Sequence, residues 1–174
     1  LQSSSLSNHV EIAGDLHLHT TISDGLYTPV EVVQAALCQR LQVIAITDHD
    51  AVEGVPVAPQ AAQDSCIEVI PGVELSTEAQ DSEVHILGYF IDISDPRLNH
   101  SLASLREGRL NRAHSVLAKL DSLGMPLDWD VVSAISGSGA MGRPHIAAAM
   151  LQAGYVETTQ QAFTHYLGRG GAAY

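Results

Sequence analysis

Six residues of metal-ligating type cluster around apolar runs in the first half of the chain. His17 and His19 stand two apart in Asp15-Leu16-His17-Leu18-His19-Thr20, and Asp24 follows five residues after the second histidine. In an extended segment side chains alternate, so both imidazoles face one side while Leu16 and Leu18 face whatever packs behind. His49 follows the apolar run Val43 to Thr47, Glu74 follows Ile67 to Val73, and His85 lies near the start of Val84 to Ile91. Four histidines and two carboxylates without a cysteine form a borderline ligand set. It suits Mn²⁺, Zn²⁺ or Fe²⁺ rather than a structural thiolate zinc. Six ligands are too many for one ion in an open catalytic site, so at least two ions are implied, with Glu74 able to bridge. Sites of this kind generate hydroxide near neutral pH and clamp a phosphoryl group during in-line displacement. Asp48, and with it Asp15, is read as a residue that orients a ligating histidine. His9, His100, His114 and His165 have no such placement and are read as surface or packing residues.

The elements that must position these side chains can be read from periodicity and caps. A first strand is expected from Glu11 to His19, then a turn region from Thr20 to Leu26. Thr28-Pro29-Val30-Glu31 is a capping box with proline at the first helical position. Its helix is expected to run to about Leu41, with Val32, Val33, Ala36 and Leu37 facing inwards. Val43 to Thr47 reads as a buried strand, Gly54 to Gln63 as a short helix and Ile67 to Val73 as a third strand. A polar turn at Thr77 to Ser82 leads to a fourth strand, Val84 to Ile91. Strand–helix alternation predicts right-handed βαβ units and a parallel sheet, which gathers residues at the C-terminal ends of its strands into one pocket. His85 is the exception, near the start of its strand. It joins the pocket if the preceding loop folds over, or if its strand runs antiparallel.

After Ser94 the pattern turns helical. Asp95-Pro96 opens a long helix to about Leu123, with Leu98, Leu102, Leu105, Ala113, Val116, Leu120 and Leu123 at near-helical spacing. Gly124-Met125-Pro126 stops it. Asp128 caps a short helix to about Ile135, and Ser136 to Gly142 is a Gly/Ser loop. Arg143-Pro144 starts a helix to about Ala153, and Thr158 with Gln161 forms a second capping box for a helix to about Leu167. The expected division is a disordered N-terminus at 1–10, an α/β part at 11–93 and an all-α part at 94–174.

Composition bounds the function. The 174 residues, 45% of them hydrophobic and 16% charged, suit one domain or one with a small appendage. A net charge of −12, from 8 basic against 20 acidic residues, argues against a broad nucleic-acid surface. It allows a small phosphorylated substrate, since metal ions can supply positive charge locally. Cys38 and Cys66 are read as buried, reduced thiols of a cytoplasmic protein. No run approaches the ~18 apolar residues of a membrane span. Leu1 to Asn8 lacks the basic start and apolar middle of a signal peptide.

Taken together, Asp15-Leu16-His17-Leu18-His19-Thr20, Ser23-Asp24-Gly25, Ile46-Thr47-Asp48-His49-Asp50, Pro71-Gly72-Val73-Glu74 and His85-Ile86-Leu87-Gly88-Tyr89 resemble the PHP (polymerase and histidinol phosphatase) superfamily. The likeness is strongest to its bacterial branch of nucleoside 3′,5′-bisphosphate phosphatases and 5′-to-3′ exoribonucleases. It extends through Gly142-Arg143-Pro144-His145 and Tyr166-Leu167-Gly168-Arg169-Gly170-Gly171. The resemblance implies a distorted (β/α)7 TIM-like barrel with a helical insertion. It also implies a site of two or three divalent ions, Mn²⁺ foremost, on His17, His19, Asp24, His49, Glu74 and His85. Arg109 and Arg112 would be substrate-phosphate ligands by resemblance. Arg143 and His145 fit that role independently, because a helix start after a Gly-rich loop favours anions. Family members continue well beyond this chain and supply three more ligands there. A closed α/β barrel usually needs ~200 residues or more, so an incomplete barrel and an incomplete metal site are expected here.

The implied activity is hydrolysis of phosphate monoesters of 3′,5′-bisphosphonucleotides, or of terminal phosphodiesters at the 5′ end of short oligonucleotides. Arg109, Arg112 and Arg143 would hold a second phosphate, and the role of His145 as general acid or phosphate ligand stays open. Two other readings compete: a degenerate PHP domain that only binds, and an amidohydrolase-like enzyme cleaving C–N bonds, since an HxH on a first barrel strand serves there too.

Overall fold

A computed structural model describes residues 13–63, 65–79, 82–137 and 139–174. The expected disordered start at 1–10, with Glu11 and Ile12 of the first strand, lies outside the described residues. The elements in order are β1 (Gly14–Leu18), α1 (Pro29–Cys38), β2 (Val43–Ile46), α2 (Val57–Ala61), β3 (Glu68–Ala79) and β4 (Ser82–Tyr89). There follow α3 (Pro96–Ser122), α4 (Trp129–Ser136), α5 (Arg143–Gln152) and α6 (Thr159–Ala162), with one π-helical turn at Phe163–Leu167. The fold is mixed α/β around a four-stranded sheet of order β1-β2-β3-β4.

The sheet is only partly parallel. β1, β2 and β3 run parallel, as the βαβ grammar predicts, but β4 returns antiparallel to β3 from Gly72↔Tyr89 to Ala79↔Ser82. The expected end of the third strand at Val73 is therefore corrected: β3 continues through Glu74 to Ala79, and Thr77 lies in the strand, not in a turn. Leu75, Thr77, Val84 and Ile86 carry enough β-forming character to extend the ladder. Thr77 strengthens it by donating its hydroxyl to the Val84 carbonyl at 2.6 Å. Residues 80–81 of the expected turn lie outside the described residues.

Smaller corrections have local causes. Helix α1 is capped as predicted, by Thr28 accepting from the Glu31 N–H while Glu31 reaches back. It ends at Cys38, short of Leu41, because Arg40 adopts a left-handed conformation at φ 58°. Val32, Val33 and Ala36 face inwards, but Leu37 is exposed. Helix α2 is shorter than expected, and both Cys38 and Cys66 are exposed free thiols, not buried ones. No helix among the described residues is long and apolar enough to cross a membrane.

Two cores share one helix. Val33, Ile44, Ile46, Val73 and Leu102 pack between the sheet, α1 and the first half of α3. Leu120, Val132, Ile146, Met150 and Leu167 form the second core, from the end of α3 through α5 to the π turn. The 27 residues of α3 thus act as a beam, about 40 Å long, from one core to the other. The loop before α5 also docks on the sheet side: Ala140 donates its N–H to the Ile22 carbonyl at 2.9 Å. At Gly139 an added Cβ would lie 2.8 Å from the Thr21 carbonyl oxygen, so only glycine fits that approach.

Leu102 is fully buried where α3 crosses the sheet core. Leu102→Ala is expected to cost about 2–5 kcal/mol, read as a fall in the urea midpoint without a change in slope. A loss below about 1 kcal/mol would mean that α3 is not anchored there.

Candidate metal centre

The four strands and the loops that follow β1 and β2 bring the six predicted ligands together. Alternation along β1 sends His17 and His19 to one side, as their spacing requires, and both reach Glu74. The Glu74 Oε2 atom lies 2.9 Å from His17 Nε2 and 2.9 Å from His19 Nε2. His49 sits just past β2, where a parallel bridge to Glu74 fixes it: the Glu74 N–H donates to the Asp48 carbonyl and the Asp50 N–H donates to the Glu74 carbonyl. That brings His49 Nδ1 to 3.6 Å from Glu74 Oε2. His85 arrives through the hairpin. It is opposite Ser76, so it lies diagonal to Glu74 on the same sheet face, and its Nδ1 is 2.6 Å from Glu74 Oε1. Of the two routes open to His85, the antiparallel strand is the one taken. Asp24, in the loop after β1, lies 3.4 Å from His19 Nδ1 and 3.7 Å from His49 Nε2.

The six residues compose three overlapping trios. They are His17–His19–Glu74, His19–Asp24–His49 and His49–Glu74–His85, with the ligand atoms of each within 4.8 Å of one another. Ions bound at ~2.1 Å leave neighbouring ligand atoms roughly 3–3.6 Å apart, close to the contacts just given. Glu74 presents different oxygens to His17–His19 and to His85, as a bridging carboxylate does. His19 and His49 instead face their two trios through different ring nitrogens.

Fit to a cation rests on two further observations. The Nδ1 atom of His49 is buried with no hydrogen-bond partner among the described residues, an orphan lone pair that a metal would satisfy. Burial also lowers the pKa of His49 to about 4, with the charges of Arg109 and His19 acting the same way against Asp24 and Glu74. The ring is thereby kept neutral, the state that a ligand needs. Burial alone would push the Glu74 carboxyl up. The His17 hydrogen bond, the His49 charge, the His85 hydrogen bond and the His19 charge outweigh it, so its pKa lies below the ordinary carboxylate value.

The residues expected around the ligands are placed differently. Asp48 does not hold an imidazole directly. Its buried carboxylate accepts from the Thr20 N–H at 2.7 Å, the Thr20 hydroxyl at 2.8 Å and the Ser23 hydroxyl at 2.7 Å. Ser23 in turn lies 3.4 Å from His19 Nδ1, so Asp48 acts on that ring through the loop. Asp15 accepts from the His17 backbone N–H at 3.1 Å on the exposed side of β1. Arg109, Arg112 and Arg143 line a cleft of about 200 Å³ with Asp24, His49 and His85. His145 instead lines a second cleft on the other side of Asp24. Its Nδ1 accepts the Gly142 N–H at 3.0 Å, and burial lowers its pKa, as does the Arg109 charge.

Two residues at this site escaped the sequence reading. Asp50 is fully buried and accepts Arg109 Nε at 2.5 Å. Arg106 donates to the Asp50 carbonyl at 2.9 Å and lies 3.3 Å from Glu53. The signal for Arg106 was present, since Arg106, Arg109 and Arg112 recur at threefold spacing on one helix face.

Known proteins resemble this chain in sequence and in fold. The sequence pattern of the PHP domain matches residues 15–163. The 5′-3′ exoribonuclease Rnm of Salmonella typhimurium is 37% identical over 162 residues, covering 92% of this chain and 55% of that protein. The 3′,5′-nucleoside bisphosphate phosphatase of Chromobacterium violaceum is 36% identical over 161 residues, with 92% and 56% covered. Among solved structures, an amidohydrolase from Chromobacterium violaceum, with bound sulfate and no metal, superimposes with a TM-score of 0.85 at 35% identity, over 92% of this chain and 57% of that one. A Bifidobacterium adolescentis protein assigned to the metal-dependent phosphoesterases gives 0.85 at 32% identity, over 94% and 58%. The chain thus spans just over half the length of the proteins it matches.

The low pKa of His49 has a consequence for stability. The unfolded chain protonates His49 near its ordinary 6.5, the folded chain only near about 4, so between them the unfolded state holds more protons. Stability must then fall as the pH falls through that window, and the depressed carboxyl of Glu74 acts in the same direction. For metal-free protein the urea midpoint is expected to drop from about pH 7 to about pH 5, and less steeply in His49→Asn. A midpoint that holds or rises on acidification would contradict a neutral, buried His49.

Proposed function

The chain belongs to the PHP domain family, and from that premise we propose that it carries most of the metal site of a phosphoesterase. Its sheet is the wall of a distorted (β/α)7 barrel, and residues 94–174 are the helical insertion over that wall. The observation that carries this reading is the convergence of three ligand trios on one edge of an arginine-lined cleft. His17, His19 and Glu74 would hold one divalent ion, and Glu74 with His85 and His49 a second, the oxygen and imidazole donors admitting Mn²⁺, Zn²⁺ or Fe²⁺ and the family resemblance putting Mn²⁺ first. Asp24 with His19 and His49 offers a third position, which those two rings face through the nitrogens that do not face Glu74. Bound metals would supply Lewis-acid charge to a phosphoryl group and a nucleophile at neutral pH.

The chain's own residues do the rest. The imidazoles stay neutral and aimed, the carboxylates offset the metal charge, and Asp48 fixes the loop that carries Asp24. Arg109, Arg112 and Arg143 receive the anion. Guanidinium groups gathered on one cleft, those of Arg109 and Arg143 partly buried and that of Arg112 exposed, concentrate attraction where a phosphate must sit in a chain of net charge −12, while the remaining surface repels long polyanions. Charge thus favours a small phosphorylated substrate, and the likeness to the named relatives makes it a 3′,5′-bisphosphonucleotide or the 5′ end of a short oligonucleotide. His145 is left without an acid role in this scheme, because it lines the second cleft and not the one with the arginines. The relatives named for exoribonuclease and bisphosphate phosphatase activity support the same class of chemistry. The amidohydrolase reading gains nothing from three arginines around the cleft, and a cyclic amide offered beside a phosphate ester separates the two.

With Mn²⁺ the protein is expected to release phosphate from a 3′,5′-bisphosphonucleotide. His19→Ala, which takes a ligand from two trios, should lower kcat/KM by roughly a thousandfold or more. Unchanged turnover in that variant would remove the metal assignment.

A further inference from the structure

Every polar group of Asp50 is spent on a different part of the site. Its N–H donates to the Glu74 carbonyl at 2.9 Å, and its own carbonyl accepts from Arg106 Nη1 at 2.9 Å. Its Oδ1 accepts the Ser76 N–H at 3.0 Å and its Oδ2 accepts Arg109 Nε at 2.5 Å. Arg109 then donates from Nη2 to the Ser76 hydroxyl. One fully buried residue thus joins the strand that carries Glu74 to the helix that carries the arginines.

The backbone shows how this is built. Asp50 has φ 50°, the left-handed region that aspartate and asparagine enter more readily than other residues with a Cβ. Across that turn the chain presents His49 to the ligand cluster and Asp50 to α3. A buried ion pair is weak evidence for stability, because apolar residues of similar shape hold a fold as well or better. What the pair does supply is direction. One edge of the Arg109 guanidinium, Nε and Nη2, is fixed by Asp50 and Ser76. Among the described residues Nη1 reaches only the Met141 carbonyl, at a weak 3.5 Å, on the wall of the cleft beside His49 and His85.

We propose that Asp50 is a positioning residue that holds Arg109 Nη1 towards an anion at the metal cluster and couples α3 to the ligand strands. The proposal rests on reading the cleft as a phosphate site, and it goes further in assigning the orientation of its central arginine to one buried carboxylate. Arg106, on the same helix face, completes the joint by holding the Asp50 carbonyl.

The test reads Arg109 directly. In metal-free protein the Arg109 Nε–H is expected as a sharp, slowly exchanging nitrogen-correlated proton resonance, identified by its loss in Arg109→Lys. Asp50→Asn keeps the shape and tolerates the backbone angle, and it should abolish that resonance. In Mn²⁺-loaded protein the same change should raise the Kd for inorganic phosphate by roughly tenfold or more. Arg109→Lys should do likewise, and the double variant should be no weaker than either alone, because the two act as one unit. Should Asp50→Asn fail to fold, Ser76→Ala removes only the hydroxyl on Nη2; it should speed exchange of the Nε–H and weaken phosphate severalfold, with the thermal midpoint kept. A sharp resonance persisting in Asp50→Asn, or single effects that multiply in the double variant, would overturn the proposal. Coupled phosphate binding without any phosphoester hydrolysis would leave it standing and remove the phosphoesterase reading instead.

Discussion

A single buried carboxylate organises this site. Glu74 is 3% exposed, yet both its oxygens are taken by imidazoles from three other segments of the chain. An unpaired charge at that depth would be too costly to keep. The histidines offset it, and in doing so they are drawn to within a few ångströms of one another, with ring centroids 5.1, 4.6 and 5.0 Å apart from His17 through His19 and His49 to His85. Glu74 can hold them only because β3 continues past it: the strand pairs with β2 on one side and with β4 on the other, so its side chain meets residues from both neighbours. Ending β3 at Val73 would release His85.

The helical half is the second part of the same device. Beside the ligands it reaches the sheet half through Arg106 and Arg109 at Asp50 and through Gly139 and Ala140 at the loop that carries Asp24. Each contact lies within two residues of a proposed ligand. A segment that brings the cationic side chains is thereby tied to the segment that brings the metal ligands, and neither can drift without moving the other. Short-range precision of this kind is what binding a compact dianion asks for.

How far the sequence could be read depended on how local each signal was. The joint orientation of His17 and His19 followed from alternation within one strand, and the caps of α1, α3 and α4 from residues three or fewer apart. Glu74 was found because it follows an apolar run, although the run proved to be half a strand. His85 stayed ambiguous, since nothing in Val84 to Ile91 says which way its ladder runs; that is decided by pairing with β3. Asp48 and Asp50 look alike in Thr47-Asp48-His49-Asp50, yet one binds the loop at Thr20 and Ser23 and the other binds α3, two partners that lie far off in sequence. His145 looked like a phosphate ligand from its place at a helix start. Its Nδ1 accepts the N–H of Gly142, three residues before it, a local bond that its place in the sequence did not announce. Cys38 and Cys66 sit among apolar residues in sequence but at the edges of their elements, where burial ends.

The central claim is that Glu74 bridges two ions. Electron paramagnetic resonance of the Mn²⁺-loaded protein tests it most directly. An exchange-coupled pair is expected in the wild type, and Glu74→Gln, which keeps the shape but removes the charge shared by both positions, should leave at most an isolated ion. A wild-type spectrum of isolated Mn²⁺ alone, or a coupled pair that survives in Glu74→Gln, would contradict it.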